Sequence, residues 1–269
     1  MAAVRSATVN VMALAVKKAA RGLIRDFNEV EHLQVSRKGP ADFVSNADHK
    51  SERILREELG KARPDFGFRM EESAPVAAKD GTHIWVVDPL DGTTNFLHGL
   101  PHFAISIGLE ANGEPIAGMV YDPIKDETFW AEKGQGAFLN DRRLRVSARR
   151  NLDESLIATG IPFRGTKGHA RFAAEAAMLM PEVAGIRRFG AASLDLAYVA
   201  AGRYDGFWEW GLQSWDICAG IILVREAGGV VSEPGGGGNG YKTGNVLAAN
   251  VDLHQPLSML LKKAKPAAA

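Results

Sequence analysis

The sequence predicts a layered fold of mixed helices and strands, α+β or α/β. Three observations carry that expectation. Apolar runs of strand length, bounded by turn residues, fill the middle of the first half; helical periodicity flanks them; and 46% hydrophobic residues over 269 positions suffice for a sizeable core. In chain order, residues 8 to 34 read as a long helix, or a helix with a break, in which Val11, Leu14 and Ala15 are interrupted by Lys17, Lys18 and Arg21. KGPADFVSNAD, residues 38 to 48, is a turn-rich link with a short hydrophobic stretch. Asp48 precedes a helical pattern to about Leu59, with Ile54, Leu55 and Leu59 on one face, and Pro64 and Gly67 end it. IWVV (84–87) is a strand that stops at DPLDGTTN, and FAISIGL (103–109) is another. IAGMVYDP (116–123) and ETFWAEKG (127–134) suit a hairpin, and GAFLNDRRLRV continues the pattern to Val146.

In the second half, LIATGIPF is a strand followed by a loop, and residues 168 to 180 form a helix. Leu194, Ala197 and Tyr198 mark a helical face over 191–202, YDGFWEW is a short strand, and Asp216 to Ala227 is a helix ended by Gly228 and Gly229. PGGGGNG (234–240) is a flexible loop, and Lys262, Lys263 and Lys265 form a solvated tail. The chain divides into approximate halves, 1–150 and 151–269, of one unit without a clean linker.

With 32 basic and 32 acidic residues the net charge is zero, which excludes the strongly basic balance of a dedicated nucleic-acid binder. The one cysteine, Cys218, excludes a disulfide framework and a multi-thiolate zinc site, and its apolar context suits a buried thiol. No stretch reaches the roughly 20 apolar residues that span a bilayer, and the N-terminus suits an amphipathic helix better than a signal peptide. The expected location is the cytoplasm.

The chemistry concentrates in DPLDGTTN, residues 88 to 95. Asp88 and Asp91 follow the apolar run directly, Pro89 stiffens the turn, Gly92 permits close approach of an anion, and Thr93 and Thr94 supply hydroxyls. Carboxylates alone repel phosphate; a hard cation bridging both resolves the conflict. An ordinary solvated acidic turn is the plain alternative for this octet. Glu71 and Glu72 in MEESAP are either surface charge or a further metal ligand and a catalytic acceptor for a metal-bound water, and Asp216 is either a helix cap or a metal ligand. An aspartyl-phosphate mechanism normally spaces its acids by one residue, whereas DPLDG has two between them.

Together DFVSNAD, EES, WVVDPLDGTTNF, GIRRFGAASLDLAYVAAGRYDGFWEWGLQSWDICAG and REAGG, spanning residues 42 to 229, resemble the inositol monophosphatase family, within the class that includes fructose bisphosphatases. The later stretches resemble its bacterial SuhB-type branch. The resemblance implies a layered α-β-α-β-α sandwich, a dimer, and Mg²⁺-dependent hydrolysis of inositol monophosphate. Other sugar phosphates, nucleotide ribose phosphates or histidinol phosphate are alternative substrates. It further implies that Glu71, Asp88 and the Leu90 carbonyl hold one metal, that Asp88, Asp91 and Asp216 hold a second, and that a weaker Mg²⁺ lies near Glu71. Glu72 is not a first choice for coordination. By the same resemblance Asp48 and Thr93 act on the attacking water, Gly92 and Thr93 bind phosphate, and Gly190, Ala191 and Glu209 face the substrate hydroxyls. Lithium inhibition and an association with RNA polymerase or antitermination factors are also implied. Trp208, Trp210 and Trp215 are pocket wall or core, and Lys38 either supports closure of the first-site loop or is solvated. The chain departs from the common pattern at Met70, Phe189, Gln213 and Ser214, which bears on substrate preference and removes no ligand.

Overall fold

Ser6 starts the first helix: its Oγ accepts the Val9 N–H at 3.2 Å. The helix, α1 (Ala7–Asn28), buries Val9, Met12, Val16, Ala19 and Leu23 along one stripe. The computed structural model describes residues 5–29, 35–39 and 42–264, with 35–39 and 42–45 as backbone only. The expected extension of α1 over 30–34, and Lys265, lie outside the described residues; so does the side chain of Lys38.

The link at 38–48 is an antiparallel hairpin of β1 (Val35–Gly39) and β2 (Asp42–Ser45). It leads into α2 (Asn46–Ala62), so Asp48 sits in the helix's first turn rather than before it. Next come β3 (Gly67–Met70), β4 (His83–Asp91), α3 (Thr93–Leu97), β5 (Ala104–Ala111), β6 (Glu114–Asp122), β7 (Glu127–Glu132), β8 (Gly136–Leu139) and β9 (Arg142–Arg143). They form a seven-stranded sheet in that order, parallel at β3–β4 and antiparallel elsewhere. Asn112 and Gly113, with φ of 52° and 80°, make the two-residue β5–β6 turn. β4 does not stop at Val87. Asp88 pairs with Ser106 and Asp91 with Ala104, so β4 carries one extra residue there. This bulge accommodates Pro89, which has no N–H to give the ladder.

The second half contains β10 (Leu156–Thr159), α4 (His169–Leu179), β11 (Gly185–Arg187), α5 (Ala192–Ala200), β12 (Gly206–Glu209), α6 (Ser214–Glu226), β13 (Val230–Ser232), α7 (Gly240–Thr243), β14 (Val246–Ala249) and α8 (Val251–Lys263). Five strands make a mixed sheet of order β11-β10-β12-β14-β13. Lys262 and Lys263 belong to the last turn of α8 rather than to a tail; Leu253, Leu257 and Leu261 bury that helix's inner stripe.

The layers follow from the faces buried. α1 and α2 cover one face of the seven-stranded sheet, α5 and α6 lie between the two sheets, and α4 and α8 are on the outer face of the five-stranded sheet. The result is an α-β-α-β-α sandwich. Among the described residues no helix is long and apolar enough to cross a membrane.

The central helix α6 buries eight consecutive residues, Ile217 to Val224, as a helix enclosed on all sides must. Its approach to the first sheet depends on two glycines paired across β5 and β6, Gly108 and Gly118. A Cβ on Gly118 would lie 2.6 Å from Ala219 Cα, and one on Gly108 would lie 2.3 Å from Cys218 Sγ. Burial pushes the Cys218 thiol up to about 12, so it is an unreactive core thiol.

Candidate active site

Four acids from three segments gather where β4 ends. Asp88 and Asp91 lie in the bulged end of β4, both buried. Asp88 Oδ1 accepts the Leu90 N–H at 2.9 Å, which curls the backbone around it. Asp91 Oδ2 accepts the Ser193 N–H at 2.8 Å and the Ser193 hydroxyl, a tie from the start of α5 across 102 residues. Glu71 follows β3, its N–H bonded to the Val87 carbonyl at 3.2 Å, so the EES segment runs beside the end of β4. Asp216, in the first turn of α6, accepts the Gln213 N–H at 2.7 Å and completes a capping box with Gln213. It is a cap, and it also faces the other acids.

Electrostatics record their proximity. Asp88 is raised well above the usual carboxylate range by burial, then by Glu71, Asp91 and Asp216. Asp216 is raised well above it by burial and then by Asp91. Burial lifts Asp91 to about 6; the Ser193 bonds oppose the lift and Glu71 adds to it. Neither Asp88, Asp91 nor Asp216 forms an ion pair with a lysine or arginine among the described residues. Buried like charges without a cation are costly. A hard divalent ion fits what is present: an all-oxygen, negatively charged set of carboxylates. Among the described residues no three acid, imidazole or thiol groups already close on one point. The fit therefore rests on donor chemistry and uncompensated charge rather than on a preformed cage.

Beside these acids, the Thr93 hydroxyl lies 3.1 Å from Asp48 Oδ1 and 2.9 Å from the Leu90 carbonyl, and Asp48 is fully buried. Gly92 has φ 90°, and a Cβ there would meet the His102 carbonyl at 3.0 Å and Ala191 Cβ at 3.3 Å. Ala191 is thus packed under the Gly92 turn and fully buried. Gly190 has φ 82° and lies against Arg188. Asn95 Nδ2 donates to the His102 and Phe189 carbonyls at 2.8 and 2.7 Å, joining the DPLDGTTN motif to the FGAAS segment.

Glu209 ends β12, partly exposed, its carboxyl lifted to about 8 by burial and then Asp91, with Arg188 opposing. Asp195 on α5 is buried, its Oδ1 is unpartnered among the described residues, and burial followed by Glu209 holds it well above the usual range. Trp208 is core, and both Trp208 and Trp210 donate their indole N–H to Glu175, at 3.0 and 2.9 Å. The sequence pattern marks neither Ser193 nor Asp195, and it marks Gln213 only as a departure from the common pattern, because a polar residue in a short helix has no local sign of what it holds. A cleft of about 470 Å³ lined by Arg5, Lys17 and Asp126 contains none of the site acids.

The model of the inositol monophosphatase family matches residues 2–267. An inositol-1-monophosphatase of Rhizobium meliloti is 55% identical over 262 residues, covering 97% of this chain and 98% of its own. The Nus factor SuhB of Escherichia coli K12 is 44% identical over 242 residues, covering 90% and 91%. The crystal structure of the extragenic suppressor protein suhB from Bartonella henselae superposes with a TM-score of 0.94 at 56% identity, covering 97% and 100%. The inositol monophosphatase from Anabaena gives 0.83 at 36%, covering 96% of each chain. Matched over nearly all its residues in sequence and in fold, the chain belongs to the inositol monophosphatase family, phosphatases that work with divalent metal ions.

Proposed function

We propose that the chain hydrolyses inositol monophosphate to inositol and inorganic phosphate with water as nucleophile and Mg²⁺ as the divalent ion. The observation that carries this is the gathering of Asp88, Asp91 and Asp216 with Glu71 beside them: burial first, and neighbouring acids after it, raise all three aspartates, and none of the three has a compensating lysine or arginine among the described residues. Glu71, Asp88 and the Leu90 carbonyl would hold one ion, and Asp88, Asp91 and Asp216 a second. Mg²⁺ there would supply positive charge to acidify the attacking water and stabilise the leaving oxygen. Thr93, hydrogen-bonded to Asp48, orients that water, and Asp48 takes up its proton. The water oxygen bonds to phosphorus as the ester P–O bond breaks, and the leaving alcohol is protonated from solvent. Backbone N–H groups of Gly92 and Thr93 hold phosphate oxygens, and Gly190, Ala191 and Glu209 receive the polyol. The halves 1–150 and 151–269 act as one catalytic unit, a reading supported by α6, which carries Asp216 from the second half to the first sheet.

The test is phosphate release, with and without Mg²⁺, from inositol phosphates, fructose 1,6-bisphosphate, adenosine 3′,5′-bisphosphate and histidinol phosphate. No Mg²⁺-dependent release from any would sink the proposal; a preference for one of the last three would reassign the substrate. Lithium inhibits in a manner dependent on Mg²⁺ concentration, and unchanged turnover across a lithium titration would remove that part alone. The working form is a cytoplasmic homodimer, supported by exposed Leu100 and Phe189, the latter packed on His102; light scattering checks the mass.

A second role with the transcription machinery is favoured by the 44% identity to the Nus factor SuhB. Failure of the purified chain to retain RNA polymerase or antitermination factors from its own cell extract would count against it.

A further inference from the structure

Glu209 is held in an unusual way. Among the described residues its carboxylate accepts no hydrogen bond and joins no ion pair; burial and the charge of Asp91 raise it and Arg188 opposes, while Asp195 and Asp216 feel its charge in turn. A partly exposed acid on the last residue of a strand would ordinarily be free to swing. What fixes it is contact with Gly160, the residue after β10. Thr159 and Trp208 are partners across β10 and β12, and the Thr159 hydroxyl donates to the Trp208 carbonyl at 2.8 Å. The next residues on each strand, Gly160 and Glu209, are thereby brought together. A Cβ on Gly160 would lie 1.9 Å from Oε1, 2.1 Å from Cδ and 2.2 Å from Oε2 of Glu209. The carboxylate occupies the place of the missing side chain. Gly160 is not among the positive-φ glycines, so its backbone conformation does not call for glycine.

We infer that Gly160 is a positioning residue that sets substrate specificity: its bare Cα seats the Glu209 carboxylate, with lone pairs left free for the ring hydroxyls of a cyclic polyol phosphate. The inference rests on the reading of Glu209 as the hydroxyl acceptor. With alanine at the position, the carboxylate must retreat by about 1.5 Å to reach an ordinary contact of 3.4 Å. Because the three nearest atoms all belong to the end of a flexible side chain, the fold accommodates the methyl group. The acceptor does not, since misplacement by about 1 Å can cost on the order of 100-fold in rate.

The test is a double-mutant cycle of Gly160→Ala and Glu209→Ala, with inositol 1-phosphate and with p-nitrophenyl phosphate, which lacks alicyclic hydroxyls. Gly160→Ala lowers kcat/KM on inositol 1-phosphate about tenfold or more, and by less than about twofold when Glu209 is already alanine. Its loss on p-nitrophenyl phosphate is several-fold smaller, the half-saturating Mg²⁺ concentration is unmoved, and Tm stays within about 4 °C. Equal losses in both backgrounds, equal losses on both substrates, or no loss at all would overturn the inference. So would failure of Gly160→Ala to fold, which would make the glycine a backbone requirement. Absence of wild-type turnover on inositol 1-phosphate would instead strike the reading of the substrate, and the inference with it.

Discussion

Asp91 shows how a single side chain is prepared for a cation. Ser193 gives it two hydrogen bonds, from the backbone and from the hydroxyl, on one carboxylate oxygen. Burial works against its charge, and the serine bonds partly restore it. Asp91→Asn keeps the size and can still accept from Ser193, yet removes the negative charge. Mg²⁺-dependent kcat is expected to fall on the order of 100-fold or more, with the folded state intact by circular dichroism. Near-native turnover across a Mg²⁺ titration would refute the assignment. Ser193→Ala leaves Asp91 in place and removes one of its two donors. Support of this kind beneath a ligand is worth about 10–100-fold in metal affinity. The half-saturating Mg²⁺ concentration should rise by about that factor with a smaller change in kcat at saturation; an unmoved Mg²⁺ curve would mean that Ser193 only anchors α5.

Among the elements, α6 and the end of β4 decide whether the site exists. The bulge at Pro89 and Leu90 separates Asp88 from Asp91, which keep their pairings with Ser106 and Ala104, and the Ser51 hydroxyl holds the Pro89 carbonyl at 2.8 Å. α6 reaches this end of the sheet because Gly108 and Gly118 leave it a trough. In Gly118→Ala the new methyl would meet Ala219 backbone at 2.6 Å, which no side-chain rotation relieves. Overpacking of this kind costs about 1–3 kcal/mol, measurable by urea unfolding. The shift of α6 also withdraws Asp216 from Asp88, so turnover at sub-saturating Mg²⁺ should fall by more than turnover at saturation. Unchanged stability would show that the helix and sheet adjust freely; lost stability with native kinetics would separate α6 packing from the site.

For the molecule as a whole, the buried acids couple stability to pH and to metal. In the folded chain Glu209 titrates at about 8 against an ordinary 4.5, and Asp91 at about 6 against 3.8. Between those values the folded chain holds protons that the unfolded chain has released. The stability these groups contribute is therefore fully present below their ordinary values and is lost as pH rises through 6 to 8. Mg²⁺ competes with the proton for Asp91, so its stabilising effect grows as pH rises through about 6. In differential scanning fluorimetry, the metal-free chain should melt lower at pH 8 than at pH 5.5, and saturating Mg²⁺ should raise Tm more at pH 8. Equal Mg²⁺ shifts at the two values would argue against ion binding by Asp91.

Much of this was written locally in the chain. IWVV followed by two acids, the strand runs of β5 to β7, and the helical faces of α5 and α6 declare themselves through side-chain period and turn residues, which act over a few positions. Local pattern did not reveal that β4 continues through DPLD, since a bulge is defined only by the partner strand. It also passed over β11, β13, β14 and α8, whose short or polar-interrupted segments gain their structure from the sheet and core they join. Convergence belongs wholly to the tertiary structure. Asp216 faces Asp88 because two glycines admit a helix, Ser193 reaches Asp91 across 102 residues, and Gly160 meets Glu209 only because β10 and β12 are neighbours. The sequence by itself determined which chemistry the chain could carry, because residue type sets charge and donor identity. Distance and burial decided where that chemistry could act, and these depend on packing between segments that no local pattern records.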